Sequence, residues 1–240
     1  AVNAAGVIAA YTPGANAAPV AEHTITLMLA LLKRLLVVAE DAKDGKWRPF
    51  MFAEQGIGDL EGCRVGLVGL GNVARSVAQR LNAFGSHVTY TSRRRIDPDL
   101  EDRLQVAYQP LPELLATAQI ASLHLPLSQE TYHMMSDEQF GLMQWGSMLI
   151  NTSRGGLVDG GALRRAIISE HLAGAGLDTI EGEREIPNPF ADLPQILVTP
   201  HTAGLTRIAL ERVLTRALDN VRRFIAGEPA IDRIPGTTGS

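Results

Sequence analysis

The chain has 240 residues, of which 45% are hydrophobic and 20% charged, and its formal net charge at pH 7 is −4. This composition is ordinary for a globular protein and offers no basic field that would draw the chain to nucleic acid or anionic lipid. The only cysteine, Cys63, excludes an internal disulfide and favours a reducing compartment, so we expect a cytoplasmic protein without a nucleic-acid partner.

The first predicted element is a long helix over residues 17–40 that is apolar almost all round. Its most apolar stretch, 25–32, is interrupted by Lys33 and Arg34 and is too short to span a bilayer. Such a helix is buried, either between domains or against another subunit. We therefore predict a homodimer and no membrane attachment.

Beyond this helix, short apolar or β-branched runs alternate with segments of helical periodicity. The alternation predicts βαβ units, and hence a doubly wound parallel sheet of the α/β class with helices on both faces. Ser136 and Gln139 fit a capping box, and Asp159 is a candidate N-cap. A last helix over 206–226 has one apolar stripe and ends at Gly227. The predicted strands are 63–69, 87–91, 104–108, 119–124, 147–151, 174–178 and 195–199.

The first strand runs into a glycine-rich turn, GLGNVA at 69–74, that opens an amphipathic helix. Gly69 permits the sharp turn, Gly71 lets the backbone approach a pyrophosphate, and Ala74 replaces the third glycine of the pattern. The helix N-terminus adds free N–H groups and the positive end of its dipole. Alone the motif is weak, but between a strand and a helix it predicts a dinucleotide site.

The second strand ends in the sequence TSRRR, residues 91–95, where this fold usually places an Asp or Glu for the adenosine ribose. A carboxylate would repel a 2′-phosphate, whereas hydroxyls and guanidinium groups can bind one. We therefore predict NADP(H) as the cofactor, with NAD(H) as the alternative. The other interpretation is a solvated basic loop, since a run of like charges usually lies in solvent. The predicted contacts are Thr91, Ser92, Arg93 and Arg94.

Three candidate catalytic residues, Arg154, Glu183 and His201, follow the ends of three late strands. Because parallel sheets bind ligands beyond the carboxyl ends of their strands, we expect these residues to meet where a nicotinamide would lie. Arg154 can bind the carboxylate or oxo oxygen of a 2-oxo acid, and His201 can donate a proton to the new alkoxide. Glu183 beside the histidine would favour the imidazolium and fix its tautomer. Alternatively, His201 is a loop or cap residue and Arg154 pairs with Asp159.

The remaining histidines show no comparable arrangement with charged residues. No metal-ligand spacing and no nucleophile elbow is present in the sequence, so we predict a site without a metal. These histidines, for which the sequence indicates no partner, are His23, His87, His124, His133 and His171.

With these patterns in place, the chain resembles the D-isomer-specific 2-hydroxy acid dehydrogenases along nearly its whole length. Among the stretches that carry the likeness, Asn-Thr-Ser-Arg-Gly and Thr-Pro-His are the most specific. The Trp-Arg-Pro-Phe stretch at 47–50 and Tyr-Thr-Ser-Arg at 90–93 look most like the glyoxylate and hydroxypyruvate reductase branch, which tends to use NADPH. The stretches are YTPGAN at 11–16, VAEH at 20–23, VGLGN at 68–72, HLPL at 124–127, NTSRGGLVD at 151–159, GLD at 176–178 and TPH at 199–201.

The resemblance implies that Arg154, Glu183 and His201 match the family's catalytic Arg, Glu and His. It also implies that Asp178 lies near the nicotinamide carboxamide and that Asn72 and Val73 lie on the pyrophosphate. The expected reaction is reduction of a small 2-oxo acid, glyoxylate or hydroxypyruvate first, to the D-hydroxy acid. The remaining predicted cofactor contacts are His124, Pro126, Thr131, Thr152, Ser153 and Gly204.

One departure from the family pattern concerns the catalytic carboxylate. The family usually has a proline after its catalytic Glu, whereas Arg184 and Glu185 follow Glu183 here. Glu181 and Glu185 therefore remain weaker candidates for the partner of the histidine.

A second departure concerns the front of the chain. Family members begin with a substrate-domain segment, and this sequence starts beyond it, so we expect a fragment that keeps the cofactor site and lacks half of the substrate cleft. We assign 1–16 to a remnant of the substrate domain and the crossover, 17–205 to the dinucleotide-binding domain, and 206–240 to a helix that returns to the substrate domain.

Two other functions stay open at this point. The first is a nucleotide-sensing scaffold without turnover, like the corepressors that resemble the same family. The second is a dehydrogenase of the same fold with an unrelated substrate. Residues alone do not separate these from a 2-oxo acid reductase.

Overall fold

The computed structural model describes residues 8–48, 50, 56–183 and 187–234 of the chain. The strands are β1 (Arg64–Val68), β2 (His87–Thr91), β3 (Val106–Tyr108), β4 (Ile120–Leu123), β5 (Ser147–Asn151), β6 (Leu172–Leu177) and β7 (Ile196–Val198). The helices are α1 (Ala17–Leu32), α2 (Leu35–Lys43), α3 (Asn72–Ala83), α4 (Pro98–Leu104), α5 (Leu111–Thr117), α6 (Asp137–Leu142), α7 (Gly160–Ile168) and α8 (Arg207–Ile225), with a short 3₁₀ turn at Gly155–Leu157.

The strands form one sheet in the order β3-β2-β1-β4-β5-β6-β7, and every pairing in it is parallel. The predicted doubly wound α/β architecture is therefore confirmed. The order reverses between β1 and β4, which opens a crevice at the carboxyl ends of the strands, where such sheets bind ligands.

Helices cover both faces of the sheet, because successive strand residues point to opposite sides. On one face, α3 packs against β2 and α1 packs against β5, β6 and α3, in a core that includes Leu67, Val77 and Tyr90. On the other face, α5, α6 and α7 pack around Leu114, Phe140 and other buried residues. The site at the carboxyl ends thus rests on a sheet that is buried on both sides.

The prediction of one helix over 17–40 is wrong, because the first helix ends at Leu32. Arg34 takes a left-handed conformation with φ of 49°, and a separate helix, α2, starts at Leu35. Only α1 is buried, and it packs on this chain's own β5, β6 and α3, whereas α2 has no buried residue. The burial of α1 therefore needs no second subunit, which removes the sequence argument for a dimer.

The predicted strands and the last helix are confirmed to within two residues at each end. The β3 strand starts two residues late because α4 runs to Leu104 and Gln105 ends it in a left-handed conformation. Asp159 caps α7 by accepting from the Ala162 N–H, and the Gln139 side chain accepts from the Ser136 N–H. Helix α8 has the predicted apolar stripe, yet the described part of the chain leaves nearly all of it exposed.

Among the helices of the described ranges, none combines the length and the apolar character that crossing a bilayer requires.

Candidate active site

The glycine turn is held tightly at its first residue and is open at its third. Gly69 has φ of 99°, donates its N–H to the Thr91 carbonyl at 2.9 Å, and would place a Cβ 2.6 Å from the His124 carbonyl oxygen. A Cβ at Gly71 would meet nothing within 4 Å. The protein's own packing therefore requires glycine at 69 only, and the open space at 71 fits the close approach of a ligand.

Helix α3 begins at this turn and buries one face against the sheet. Ala74 is fully buried there, at the position where the third glycine of the pattern would allow a closer helix–strand contact. Asn72 lies against Gly14 and Val73 is partly buried, while the first N–H groups of the helix have no partner within it. Sequence reasoning missed Arg75, which sits in the first turn and donates from Nε to the Leu70 carbonyl at 3.2 Å. A cation at this end of a helix opposes the helix dipole and favours an anionic partner nearby.

The three arginines after β2 have different roles. Arg95 is occupied: it binds both oxygens of Glu101, at 2.8 and 2.7 Å, and lies over the Tyr108 ring. Arg93 and Arg94 are exposed, and within the described ranges no hydrogen bond or ion pair holds either guanidinium. These two side chains, and not Arg95, can bind an external phosphate. The Ser92 hydroxyl donates to the Arg94 carbonyl at 2.6 Å and so shapes the turn that carries them.

Glu101 holds the loop that carries Arg93, Arg94 and Arg95, which we call the arginine corner. Its carboxylate is buried, and it accepts from Arg95 and from the Tyr90 hydroxyl at 2.6 Å. The hydrogen bonds from Arg95, followed by the one from Tyr90, lower the pKa of Glu101 to about 2. The Tyr90 hydroxyl also accepts from the Ile96 N–H, so the loop after β2 is tied to the core.

The loop after β4 forms the opposite wall of the crevice. His124 bonds the Ser122 hydroxyl through Nε2 at 2.9 Å, and burial lowers the pKa of its ring to about 4. Thr131 uses its hydroxyl within the loop, donating to the Pro126 carbonyl at 2.8 Å. The pKa of Glu130 in the same loop is lowered, mainly by the Ser128 hydroxyl and in smaller part by Arg93. This loop and the arginine corner are therefore close enough to interact electrostatically.

The three candidate catalytic residues come together as expected. Glu183 Oε1 lies 2.6 Å from His201 Nδ1, and Arg154 lines the same cavity of about 310 Å³. Arg154 is exposed and donates to the neighbouring Ser153 carbonyl at 2.7 Å. The predicted alternative, an Arg154–Asp159 pair, is not what the structure contains, because Asp159 caps α7. With Nδ1 engaged by the carboxylate, Nε2 of His201 is left for a substrate.

His201 is held in a strained backbone conformation, with φ of 54°. Its N–H donates to the Asp178 carbonyl at 2.9 Å, and the Asp178 side chain accepts from the N–H groups of Thr202 and Ala203, each at 2.9 Å. Asp178 also accepts from the Thr199 hydroxyl at 2.6 Å. The predicted cofactor residue Asp178 thus binds the loop that carries His201 with both carboxylate oxygens.

Two other predicted cofactor contacts, Thr152 and Ser153, make bonds inside the protein, and a third, Gly204, lies where two chain segments cross closely. The Thr152 hydroxyl lies 2.9 Å from that of Thr24 on α1, and the Ser153 hydroxyl donates to the Leu123 carbonyl at 2.7 Å. A Cβ at Gly204 would come within 2.8 Å of the Asn16 side chain, so this glycine allows a close chain crossing. The Ser153 N–H also donates to Asn151 Oδ1 at 3.0 Å and its carbonyl accepts from Arg154, so the polar groups of Ser153 are used within the protein.

The structure separates the candidate carboxylates. Glu183 contacts His201, whereas Glu181 accepts from the Tyr132 hydroxyl and from His133 Nε2, each at 2.8 Å. The pKa of Glu181 is lowered, first by the hydrogen bond from His133. Glu185, like Arg184, lies outside the described residues.

The prediction that the other histidines have no comparable charged partner is wrong for two of them. His133 pairs with Glu181, and His23 Nε2 lies 2.8 Å from Thr199 Oγ1 and 3.4 Å from Asp178 Oδ1. The sequence signal for His23 was a polar residue on a helix that is otherwise buried. In the ranges that the structure describes, no group of three or more His, Cys, Asp or Glu side chains could hold a metal.

The family model described as "D-isomer specific 2-hydroxyacid dehydrogenase, NAD binding domain" matches residues 25–203. A glyoxylate reductase of Korarchaeum cryptofilum is 34% identical over 225 residues, which cover 93% of this chain and 68% of that protein. A glyoxylate/hydroxypyruvate reductase B of Pectobacterium carotovorum is 33% identical over 230 residues, 95% of this chain and 72% of the relative. The crystal structure of a glyoxylate reductase from Paecilomyes thermophila superposes with a TM-score of 0.86 at 31% identity, covering 97% of this chain and 69% of that one.

Proposed function

Because this chain belongs to the D-isomer specific 2-hydroxyacid dehydrogenase family, we propose that it reduces a small 2-oxo acid, glyoxylate or hydroxypyruvate first, to the D-2-hydroxy acid. The chain is an oxidoreductase that uses a nicotinamide dinucleotide. The substrate, the preference for NADPH and the roles of individual residues are our proposals.

The observation that carries the proposal is the contact between Glu183 and His201 in the cavity that Arg154 also lines. The guanidinium of Arg154 binds the substrate carboxylate or oxo oxygen as a fixed cation. The Glu183 carboxylate accepts from Nδ1 and thereby orients the ring, so that Nε2 of His201 donates a proton to the substrate oxygen. Bound NADPH supplies the hydride that reduces the carbonyl carbon.

The preference for NADPH is supported by the arginine corner. Arg93 and Arg94 are exposed cations at the end of β2, and no carboxylate stands at position 91 to bind a free ribose hydroxyl. The Thr91 hydroxyl can donate to a phosphate oxygen, whereas the Ser92 hydroxyl already donates to the Arg94 carbonyl and shapes the turn that carries the arginines. Arg75 adds a further cation at the glycine-rich turn after β1.

A coenzyme oxidation assay tests the proposal. We expect the absorbance of NADPH to fall when glyoxylate or hydroxypyruvate is added, more slowly with pyruvate, and we expect the D-isomer as the product. NADH should serve with a higher KM. Tight binding of NADPH without turnover on a panel of 2-oxo acids would instead favour the nucleotide-sensing alternative. Turnover only with an unrelated carbonyl would favour the other dehydrogenase.

We also keep the homodimer and the domain division as proposals. Helix α2 exposes Leu35, Leu36 and Val37, which a second subunit could cover. Near the two ends of the chain, the Tyr11 N–H donates to the Asp232 carbonyl at 3.1 Å, which supports placing 1–16 and 206–240 in one unit. Light scattering checks the dimer, and a monomer at micromolar concentration would contradict it. A cytoplasmic location stays a prediction.

A further inference from the structure

His23 is a partly buried polar group for which the proposed chemistry has no direct use. It lies on α1, and its side chain is 22% exposed. Its Nε2 atom is 2.8 Å from the Thr199 hydroxyl and 3.4 Å from Asp178 Oδ1. These contacts connect a helix near the start of the chain to the two strand ends that flank His201.

The direction of the hydrogen bonds in this group follows from the number of protons. The Thr199 hydroxyl donates its single proton to Asp178 Oδ1 at 2.6 Å. Toward His23 the same oxygen can therefore only accept, which requires that His23 carry a proton on Nε2. His23 is thus the donor that fixes the orientation of the Thr199 hydroxyl.

Asp178 connects Thr199 to the loop that carries His201. Its carboxylate is 1% exposed and accepts from the N–H groups of Thr202 and Ala203. Its carbonyl accepts from the His201 N–H, so Asp178 binds His201 and the two residues after it. A left-handed conformation of a histidine persists only where its surroundings hold it, and these bonds do so.

We propose that His23 is a positioning residue for His201. It holds Thr199 and Asp178 in the arrangement that keeps the ring of His201 against Glu183. The functional part of this inference rests on the proposed role of His201 as proton donor. The structural part, that His23 orders the loop 199–203, stands without it.

Two variants of His23 test the proposal. His23→Gln keeps an N–H near the position of Nε2, whereas His23→Leu removes the donor and keeps an apolar side chain of similar reach. In His23→Leu we expect roughly tenfold faster hydrogen exchange at the Thr202 and Ala203 amides, because a hydrogen bond to a charged group is weakened. The nitrogen chemical shifts of the His201 ring should move, which reports a disturbed Nδ1 contact with Glu183.

The same variants separate positioning from coenzyme binding. In the full protein, His23→Leu should lower kcat by roughly tenfold while the KM for NADPH stays near the wild-type value, and His23→Gln should restore kcat. Thr26→Val is the matched control, since among the described residues the Thr26 hydroxyl bonds only the Glu22 carbonyl of its own helix, on the exposed side of α1. It should leave the exchange, the ring shifts and kcat unchanged.

Thr199→Val repeats the test from the other side, should His23→Leu not fold. It deletes the hydroxyl between His23 and Asp178 and should produce the same faster exchange. Wild-type exchange rates and ring shifts in both His23→Leu and Thr199→Val would overturn the proposal. If no 2-oxo acid is turned over, the proposed function fails, while the exchange and ring-shift measurements still decide the positioning role.

Discussion

The arginine corner and the His201 cluster lie at the same end of one sheet, and they are built in opposite ways. At the corner, Arg93 and Arg94 are exposed and carry no bond within the described ranges. At the cluster, His201 has a strained backbone that Asp178 holds through three N–H groups. Attraction between charges falls slowly with distance, whereas proton transfer needs hydrogen-bond reach. The side chains of a phosphate site can therefore be mobile, whereas a proton donor must be held in a fixed position.

The largest effect that this contrast predicts is in the cluster. His201→Gln should lower kcat by roughly 10²- to 10⁴-fold, because the proton donor is lost. The Kd for NADPH should stay close to the wild-type value, since the corner and the glycine turn are untouched. Steady-state kinetics and a fluorescence titration of NADPH measure the two quantities.

The exposed His87, at the start of β2, supplies the control variant His87→Gln, which should keep full activity. An active His201→Gln enzyme would mean that another group donates the proton.

The two glycines of the turn should differ in what their replacement changes. Gly71→Ala should leave the stability near wild type and weaken NADPH binding by roughly 2 to 3 kcal/mol, since the new methyl group would overlap a bound pyrophosphate. Gly69→Ala should instead lower the free energy of unfolding by about 1 to 3 kcal/mol, because φ is 99° and the Cβ meets the His124 carbonyl. Urea unfolding and coenzyme titration separate the two. Normal NADPH affinity in Gly71→Ala would place the pyrophosphate elsewhere.

A smaller effect is expected at the corner. Arg93→Asp should raise the Kd for NADPH roughly tenfold and leave that for NADH unchanged, because only the former has a phosphate to lose a charged hydrogen bond. Added salt should shrink the difference. The control is Arg212→Asp on α8, which makes the same change of net charge on an element that forms no part of the corner. Equal loss for both coenzymes would show that the arginines do not read the 2′-phosphate.

The smallest effect concerns the anchor beneath the corner. The pKa of Glu101 is about 2 in the folded chain, against an ordinary value of 4.5, so the folded state favours its charged form. This contribution to stability is fully present above pH 4.5 and is lost as the pH falls through the folded value. Arg95→Met removes the main cause of the lowered pKa. The urea midpoint of Arg95→Met should then depend less steeply on pH between about 4.5 and 2 than that of wild type. Identical slopes would contradict the role of the Arg95–Glu101 pair.

Local patterns in the sequence determined most of the fold. Strand and helix periodicity is a property of neighbouring residues, so the strand positions, the caps at Ser136 and Asp159 and the turn at Gly69 could be predicted. The break at Arg34 could not, because the apolar residues on both sides of it continue the helical pattern. The predicted dimer rested on a single buried helix over 17–40, so the sequence argument for a dimer was lost when that helix proved to be two.

At the site, the sequence by itself determined which residues follow the strand ends, since in a parallel sheet those positions must converge. It did not decide which carboxylate meets His201, because Glu181 and Glu183 are neighbours in the chain and only the path of the loop sends one to His201 and the other to His133. Nor did it reveal His23, whose partner Thr199 is 176 residues away. Contacts of that kind depend on how helices are laid on the sheet, and this is settled by packing across the whole core rather than by any local pattern.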